Sequence, residues 1–68
     1  MEDLHAYVGR IVRLKEKAFL ALKERARRQG VAIENCFVVA AVSGRLHKLI
    51  CYGANFRVTV GAGEVILV

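Results

Sequence analysis

Residues 2–29 have the sequence EDLHAYVGRIVRLKEKAFLALKERARRQ, which decides the fold we predict for the chain. Its apolar residues recur every three or four positions, so they share one half of a helical wheel drawn at about 100° per residue. Asp3 suits the N-cap of a helix, and Gly30 suits the position just after its end. The pattern therefore predicts one amphipathic helix over residues 2–29, about 40 Å long at about 1.5 Å per residue.

A strand is the alternative for the first part of this segment, because apolar residues also alternate over residues 4–14. Arg10 interrupts that alternation, and Ile11 falls on its wrong side. Gly9 weakens a helix by up to about 1 kcal/mol relative to alanine, but it lies on the polar half of the wheel. We therefore favour the helix.

After Gly30 the pattern is typical of β-structure. Short apolar runs alternate with glycine-containing breaks at 43–44, 53–54 and 61–63. Such spacing predicts a four-stranded antiparallel meander, with strands at 33–42, 45–52, 55–60 and 64–68. The predicted fold is a single α+β domain, residues 1–68, in which one long N-terminal amphipathic helix (2–29) packs on a β-meander (33–68).

Two-residue turns at Ser43-Gly44 and Gly53-Ala54 set a strand register. In that register one sheet face packs under the helix and holds Cys36, Val38, Ala40, Leu49, Cys51, Phe56, Val58 and Val60. The opposite face carries the remaining apolar residues of the first two strands, namely Phe37, Val39, Ala41, Leu46, Ile50 and Tyr52. A slip of one residue would exchange the two faces of a strand.

The predicted helix is about twice as long as the sheet, whose strands span about 20 Å. Phe19, Leu22 and Ala26 are expected to pack in the chain's own core, and the N-terminal part of the helix is expected to overhang. The hydrophobic fraction is 56%, which is high for 68 residues, and surplus apolar surface marks an interface. We therefore expect a homo-oligomer, a dimer or larger, whose predicted interface residues are Leu4, Val8, Ile11, Phe37, Val39 and Ile50.

The net charge is +5, and most of the excess lies on the predicted helix. Lys23, Arg25, Arg27 and Arg28 are candidate nucleic-acid contacts, because cationic side chains bind phosphates without regard to sequence. Cations near the end of a helix also interact favourably with its dipole, and we favour this simpler explanation.

Cys36 and Cys51 lie opposite each other in the predicted register, at a separation that would allow a disulfide. Two free thiols are favoured, because a reducing compartment opposes the bond. His47 lies about 13 Å along the strand from Cys51, too far to share a metal ion. No pair of carboxylates has a spacing suited to acid–base catalysis. We predict no enzymatic activity, no cofactor and no metal site.

The longest apolar run, Cys36–Val42, is much shorter than the about 20 residues that span a bilayer. The acidic N-terminal residues do not resemble a secretory signal. We expect a cytoplasmic protein that does not contact a membrane.

These features predict a small, non-enzymatic, homo-oligomeric module for protein interaction and assembly, with itself and another protein as partners. The alternative is an oligomeric nucleic-acid-binding protein that uses the basic face of the helix. A helix followed by a small β-structure resembles, in element order, the ring-forming Sm-like RNA-binding proteins. That family has five strands, and none of its motifs occurs here, so the resemblance identifies no site residue.

Overall fold

A computed structural model describes residues 3–54 and 56–68 of the chain. Its elements, in chain order, are a 3-10 helix at Leu4–Tyr7, strand β1 at Ile11–Leu14, helix α1 at Glu16–Arg28, β2 at Phe37–Ser43, β3 at Lys48–Tyr52, β4 at Arg57–Val60, a second 3-10 helix at Ala62–Glu64, and β5 at Val65–Leu67. The strands form one antiparallel sheet in the order β4-β3-β2-β1-β5. The predicted α+β class is confirmed, but the sheet has five strands rather than four.

The prediction of a continuous helix over 2–29 is wrong for its N-terminal half; residue 2 itself lies outside the described residues. Gly9 has a φ of +85°, which a right-handed helix does not allow. Its N–H donates to the carbonyl of Val39 at 2.7 Å, so the chain enters the sheet at this point. In the strand that follows, Val12 and Leu14 are buried and Ile11 is exposed. The strand alternative therefore holds for the end of this segment.

The C-terminal half of the predicted helix is present as α1. Leu22 and Ala26 are buried, and Phe19 packs against the core, as predicted. Gly30 has a φ of +70°, the left-handed conformation predicted for the residue after the helix. Because β1 precedes α1, the observed order of elements is not the helix-then-sheet order that resembled the Sm-like proteins.

The two helical segments begin in different ways. Asp3 caps the first 3-10 helix rather than α1, since its carboxylate accepts a hydrogen bond from the N–H of His5 at 3.0 Å. Lys15 is the N-cap of α1 and offers no capping side chain. Its own N–H instead donates to the carbonyl of Glu64 at 2.8 Å, which ties the start of α1 to the start of β5.

The predicted register between β2 and β3 is wrong because their turn is longer than two residues. Ser43 pairs with Lys48, so residues 44–47 form the turn. The Oγ of Ser43 accepts a hydrogen bond from the N–H of Leu46 at 3.2 Å, and His47 adopts a φ of +55°. A β-bulge also interrupts β2 between Val39 and Ala41.

The longer turn moves the partner of Val42 from Arg45 to Leu49, an even shift that leaves the faces unchanged. The bulge alone reassigns the faces of β2, from Val39 back to Phe37. The core face carries Phe37 and Val39, both buried, and Val42, which packs against the core. The bulge adds one residue at Ala40, so Val39 and Val42 both face the core although three positions separate them. Val38 is exposed, contrary to the prediction.

The faces of β3 and β4 were predicted correctly although their register differs. Leu49 pairs with Val60, and Cys51 pairs with Val58. This register is shifted by two residues from the predicted one, and a shift of two leaves every side chain on its predicted face. All four residues are buried. Position 55, the predicted start of the third strand, lies outside the described residues.

The hydrophobic core lies between the sheet face nearest α1, here called the inner face, and the helical segments. Its buried members come from all five strands, α1 and the first 3-10 helix: Leu4, Val12, Leu14, Leu22, Phe37, Val39, Leu49, Cys51, Val58, Val60 and Val65. The opposite surface of the sheet, here called the outer face, has no element packed over it within the described residues.

Candidate interaction surface

Four exposed apolar side chains form a row across the outer face. Ile11 lies opposite Val38, and Val38 lies opposite Tyr52. The N–H of Val68 donates to the carbonyl of Ile11 at 3.1 Å, which adds Val68 to the same row. Each of the four is between 41% and 67% exposed. We call Val68, Ile11, Val38 and Tyr52 the apolar row.

Polar groups surround the apolar row. Tyr52 pairs with Arg57 on β4, which places a charged residue at one end of the row. A shallow cleft of about 310 Å³ lies along the row, and Glu34 and Cys36 line it together with Ile11, Val38 and Tyr52. An apolar strip with a polar margin has the composition of a protein–protein interface.

Three predicted interface residues lie in the chain's own core: Leu4, Phe37 and Val39. Leu4 was predicted on an overhanging helix, but the 3-10 helix that replaces it returns this side chain to the sheet. Phe37 and Val39 were assigned to the outer face by an unbroken alternation along the strand, which the bulge between Val39 and Ala41 interrupts. Their side chains are therefore covered in the folded chain.

The other three predicted residues remain accessible. Val8 and Ile11 are exposed, and Ile50 is half-buried on the outer face. Of these, only Ile11 belongs to the apolar row. Val38, Tyr52 and Val68 were not among the predicted interface residues, although Gly9 is the residue from which the position of Val38 could have been inferred. A break at Gly9 makes the following residues a strand and brings Ile11 beside Val38.

The four candidate nucleic-acid contacts do not converge on one surface. Glu24 lies among them and accepts a hydrogen bond from Arg27 Nη2 at 2.9 Å, with Arg28 Nε at 3.7 Å from the same oxygen. Lys23 and Arg25 project about 160° apart around the helix at 3.6 residues per turn. The positive charge is therefore spread around the solvent side of α1 and partly compensated there.

The two cysteines are free thiols in different environments. Cys36 is exposed, and Cys51 is buried opposite Val39, so the predicted position of Cys36 opposite Cys51 in the sheet is wrong. Burial raises the pKa of the Cys51 thiol, because the thiolate is poorly solvated there. This environment suits a core side chain rather than a nucleophile.

Among residues 3–54 and 56–68, no three His, Cys, Asp or Glu side chains are grouped to hold a metal ion. In the same part of the chain, no helix combines the length and the apolar character needed to cross a membrane. Comparisons of the chain with protein-family models, curated proteins and solved structures found no match.

Proposed function

We propose that this chain is a small, non-enzymatic module for protein interaction and assembly, and that copies associate by packing their apolar rows together. The apolar row is the observation that carries the proposal. Exposed apolar residues are ordinary when they are isolated, whereas these four are direct neighbours across adjacent strands.

The position of the row in the sheet also supports association. Three of its residues lie on β1, β2 and β3, the central strands, whose backbones are held by pairing on both sides. Side chains on a rigid scaffold lose less conformational entropy on binding than side chains on mobile loops. Tyr52 adds an aromatic ring, and tyrosine is enriched among residues that dominate binding energy.

A second copy is a partner that the charges allow. The apolar row contains no ionisable group other than the Tyr52 phenol, and the outer-face cations Arg13 and Arg57 lie beside the row rather than within it. Two outer faces packed at about 10 Å would form a sandwich, a common arrangement of β-sheets. A two-fold axis would make the contact self-complementary.

Replacing Ile11, Val38 and Tyr52 together with threonine tests this proposal. Threonine keeps a high β-propensity and removes most of the apolar surface. We expect light scattering to show an assembly for the wild-type chain. The threonine variant should dissociate at a concentration at least about tenfold higher than the wild-type chain does, which corresponds to about 1.4 kcal/mol of lost association energy.

The matched control replaces Leu20 and Leu46 with serine, since these residues are 55% and 60% exposed and lie outside the apolar row. The control should assemble like the wild-type chain. A wild-type chain that stays monomeric at high micromolar concentration would contradict the proposal. Equal dissociation of the threonine variant and the control would contradict the choice of surface.

Nucleic-acid binding has weaker support and stays a prediction. Its candidate contacts are dispersed around α1, and Glu24 compensates two of them. A groove of converging cations would require assembly to bring α1 helices from different copies together. A mobility-shift assay at several salt concentrations tests the prediction, because phosphate contacts weaken steeply with salt.

A further inference from the structure

The core is incomplete at the edge of the sheet formed by β5. Leu67 lies opposite Val12, which is fully buried, yet Leu67 is 44% exposed. Val65, two residues earlier on the same face, is buried. Because β5 is the last strand in the order, nothing among the described residues packs beyond Leu67 on that side.

The backbone at this edge is also available for pairing. Val68 N–H donates to Ile11, and Lys15 N–H donates to the Glu64 carbonyl, so positions 64 and 68 point their backbone groups at β1. In an antiparallel ladder the intervening odd positions point the other way. The N–H and C=O of Leu67 and the C=O of Val65 therefore face the free edge, while the Val65 N–H is bonded to Ala62.

This edge lacks the features that usually prevent strand pairing. Natural edge strands are protected by charged residues, prolines or bulges. Residues 65–68 are Val-Ile-Leu-Val and contain neither a charged side chain nor proline. The opposite edge, β4, carries Arg57. Two copies can therefore pair through β5 without placing like-charged side chains on the paired strands, and the nearest outer-face cation, Arg13, lies one strand further in.

We propose that β5 pairs antiparallel with β5 of a second copy, around a two-fold axis beside Ile66, so that the two sheets become one. In this register the Leu67 N–H donates to the Val65 carbonyl of the second copy, and the reciprocal bond forms. The Leu67 side chain then covers the second copy's Val65 on the inner face, and the two Ile66 side chains meet on the outer face. This contact is separate from the apolar row and goes beyond the proposed function.

Leu67→Pro tests the backbone part of the proposal. Proline removes the N–H that faces the free edge and breaks no hydrogen bond to β1, so the variant should fold with an unchanged circular dichroism spectrum. Light scattering should show half the wild-type mass. Leu67→Val, which keeps the N–H, should have the wild-type mass. An unchanged mass for Leu67→Pro would overturn the proposal.

Cross-linking tests the register. Opposed Ile66 residues would form a non-hydrogen-bonded pair with α-carbons about 4.5 Å apart, within the range that a disulfide spans. In a Cys36→Ser background, we expect oxidised glutathione to link the Ile66→Cys variant at least about tenfold faster than Val68→Cys, whose copies lie roughly 13 Å apart. Each link forms by thiol–disulfide exchange and releases two molecules of reduced glutathione. Equal rates would overturn the register.

The two contacts can fail separately. If Leu67→Pro keeps the wild-type mass while the threonine variant of the apolar row dissociates, the β5 contact is absent and the proposed function stands. If Leu67→Pro halves the mass while the threonine variant is unaffected, the β5 contact stands and the apolar row is not the assembly surface. A third outcome is that the threonine variant forms assemblies larger than a dimer and that Leu67→Pro abolishes them. This outcome would contradict two-fold pairing, because two β5 strands that pair with each other leave no β5 edge free for a third chain.

Discussion

Asn35 shows how one side chain can end a β-ladder. Its Oδ1 accepts a hydrogen bond from the Leu14 N–H at 2.7 Å, and its Nδ2 donates to the Leu14 carbonyl at 2.9 Å. Val12 pairs with Phe37. The next hydrogen-bonded backbone pair along this ladder would therefore join Leu14 to residue 35. The side-chain amide replaces the backbone amide there and ties the segment after α1 to β1.

We expect Asn35→Ala to lower the free energy of unfolding by about 1–3 kcal/mol, because it leaves both part-buried backbone groups of Leu14 without their partner. Asn35→Asp should also destabilise the chain, since a carboxylate accepts from the N–H but repels the carbonyl. Urea denaturation followed by circular dichroism measures both changes. Glu34→Ala is the control at the adjacent exposed position and should change little. Wild-type stability in Asn35→Ala would show that water replaces the amide without cost.

At the scale of elements, one glycine separates two folds that the N-terminal sequence supports almost equally. Residues 4–14 fit a helical and a strand period, because Val8, Val12 and Leu14 belong to both patterns. Local propensity therefore could not decide between them. The decisive contact is tertiary, the hydrogen bond from Gly9 to Val39, which holds Gly9 in a left-handed conformation where a helix cannot continue.

Gly9→Ala should therefore destabilise the chain by about 1–2 kcal/mol, the approximate cost of the left-handed conformation for a residue with a β-carbon. An added β-carbon would contact no atom within 4 Å, so the cost is conformational rather than steric. Gly44→Ala is a matched control, since its surroundings are equally open and its φ is not in the left-handed region. Urea denaturation should show little loss, or a gain, for Gly44→Ala. Equal losses in the two variants would refute the conformational explanation.

The strands illustrate which parts of a sheet can be predicted from sequence. In β3 and β4 apolar residues stand at alternate positions, and their faces were predicted correctly in spite of the register error. In β2 the residues from Phe37 to Val42 are all apolar, so no alternation indicates a face. The assignment then depended on an unbroken alternation from the following turn back to Phe37. The bulge between Val39 and Ala41 breaks that alternation, and it therefore moves Val38 from the predicted core to the candidate interaction surface.

At the scale of the whole molecule, a small core coexists with a large exposed apolar surface. A chain of 68 residues buries only part of the surface that its unfolded state exposes, and such domains are marginally stable. Among the described residues, six of the nine exposed large apolar side chains lie on the outer face or at the β5 edge: Ile11, Val38, Tyr52, Ile66, Leu67 and Val68. Association through these regions would therefore contribute to folding stability as well as to assembly.

Coupling of this kind makes the thermal midpoint depend on protein concentration. Each tenfold increase in concentration stabilises a dimer by about 1.4 kcal/mol, half of it per chain, which raises the Tm of a domain of this size by about 3–6 °C. Calorimetry should detect this dependence for the wild-type chain and for the Leu20 and Leu46 serine control. A variant that combines Leu67→Pro with the three threonine substitutions should melt at one temperature throughout, because its folded monomer gains nothing from association. A wild-type Tm independent of concentration would mean that the isolated chain has its full stability, and that its exposed apolar surface contributes nothing to folding.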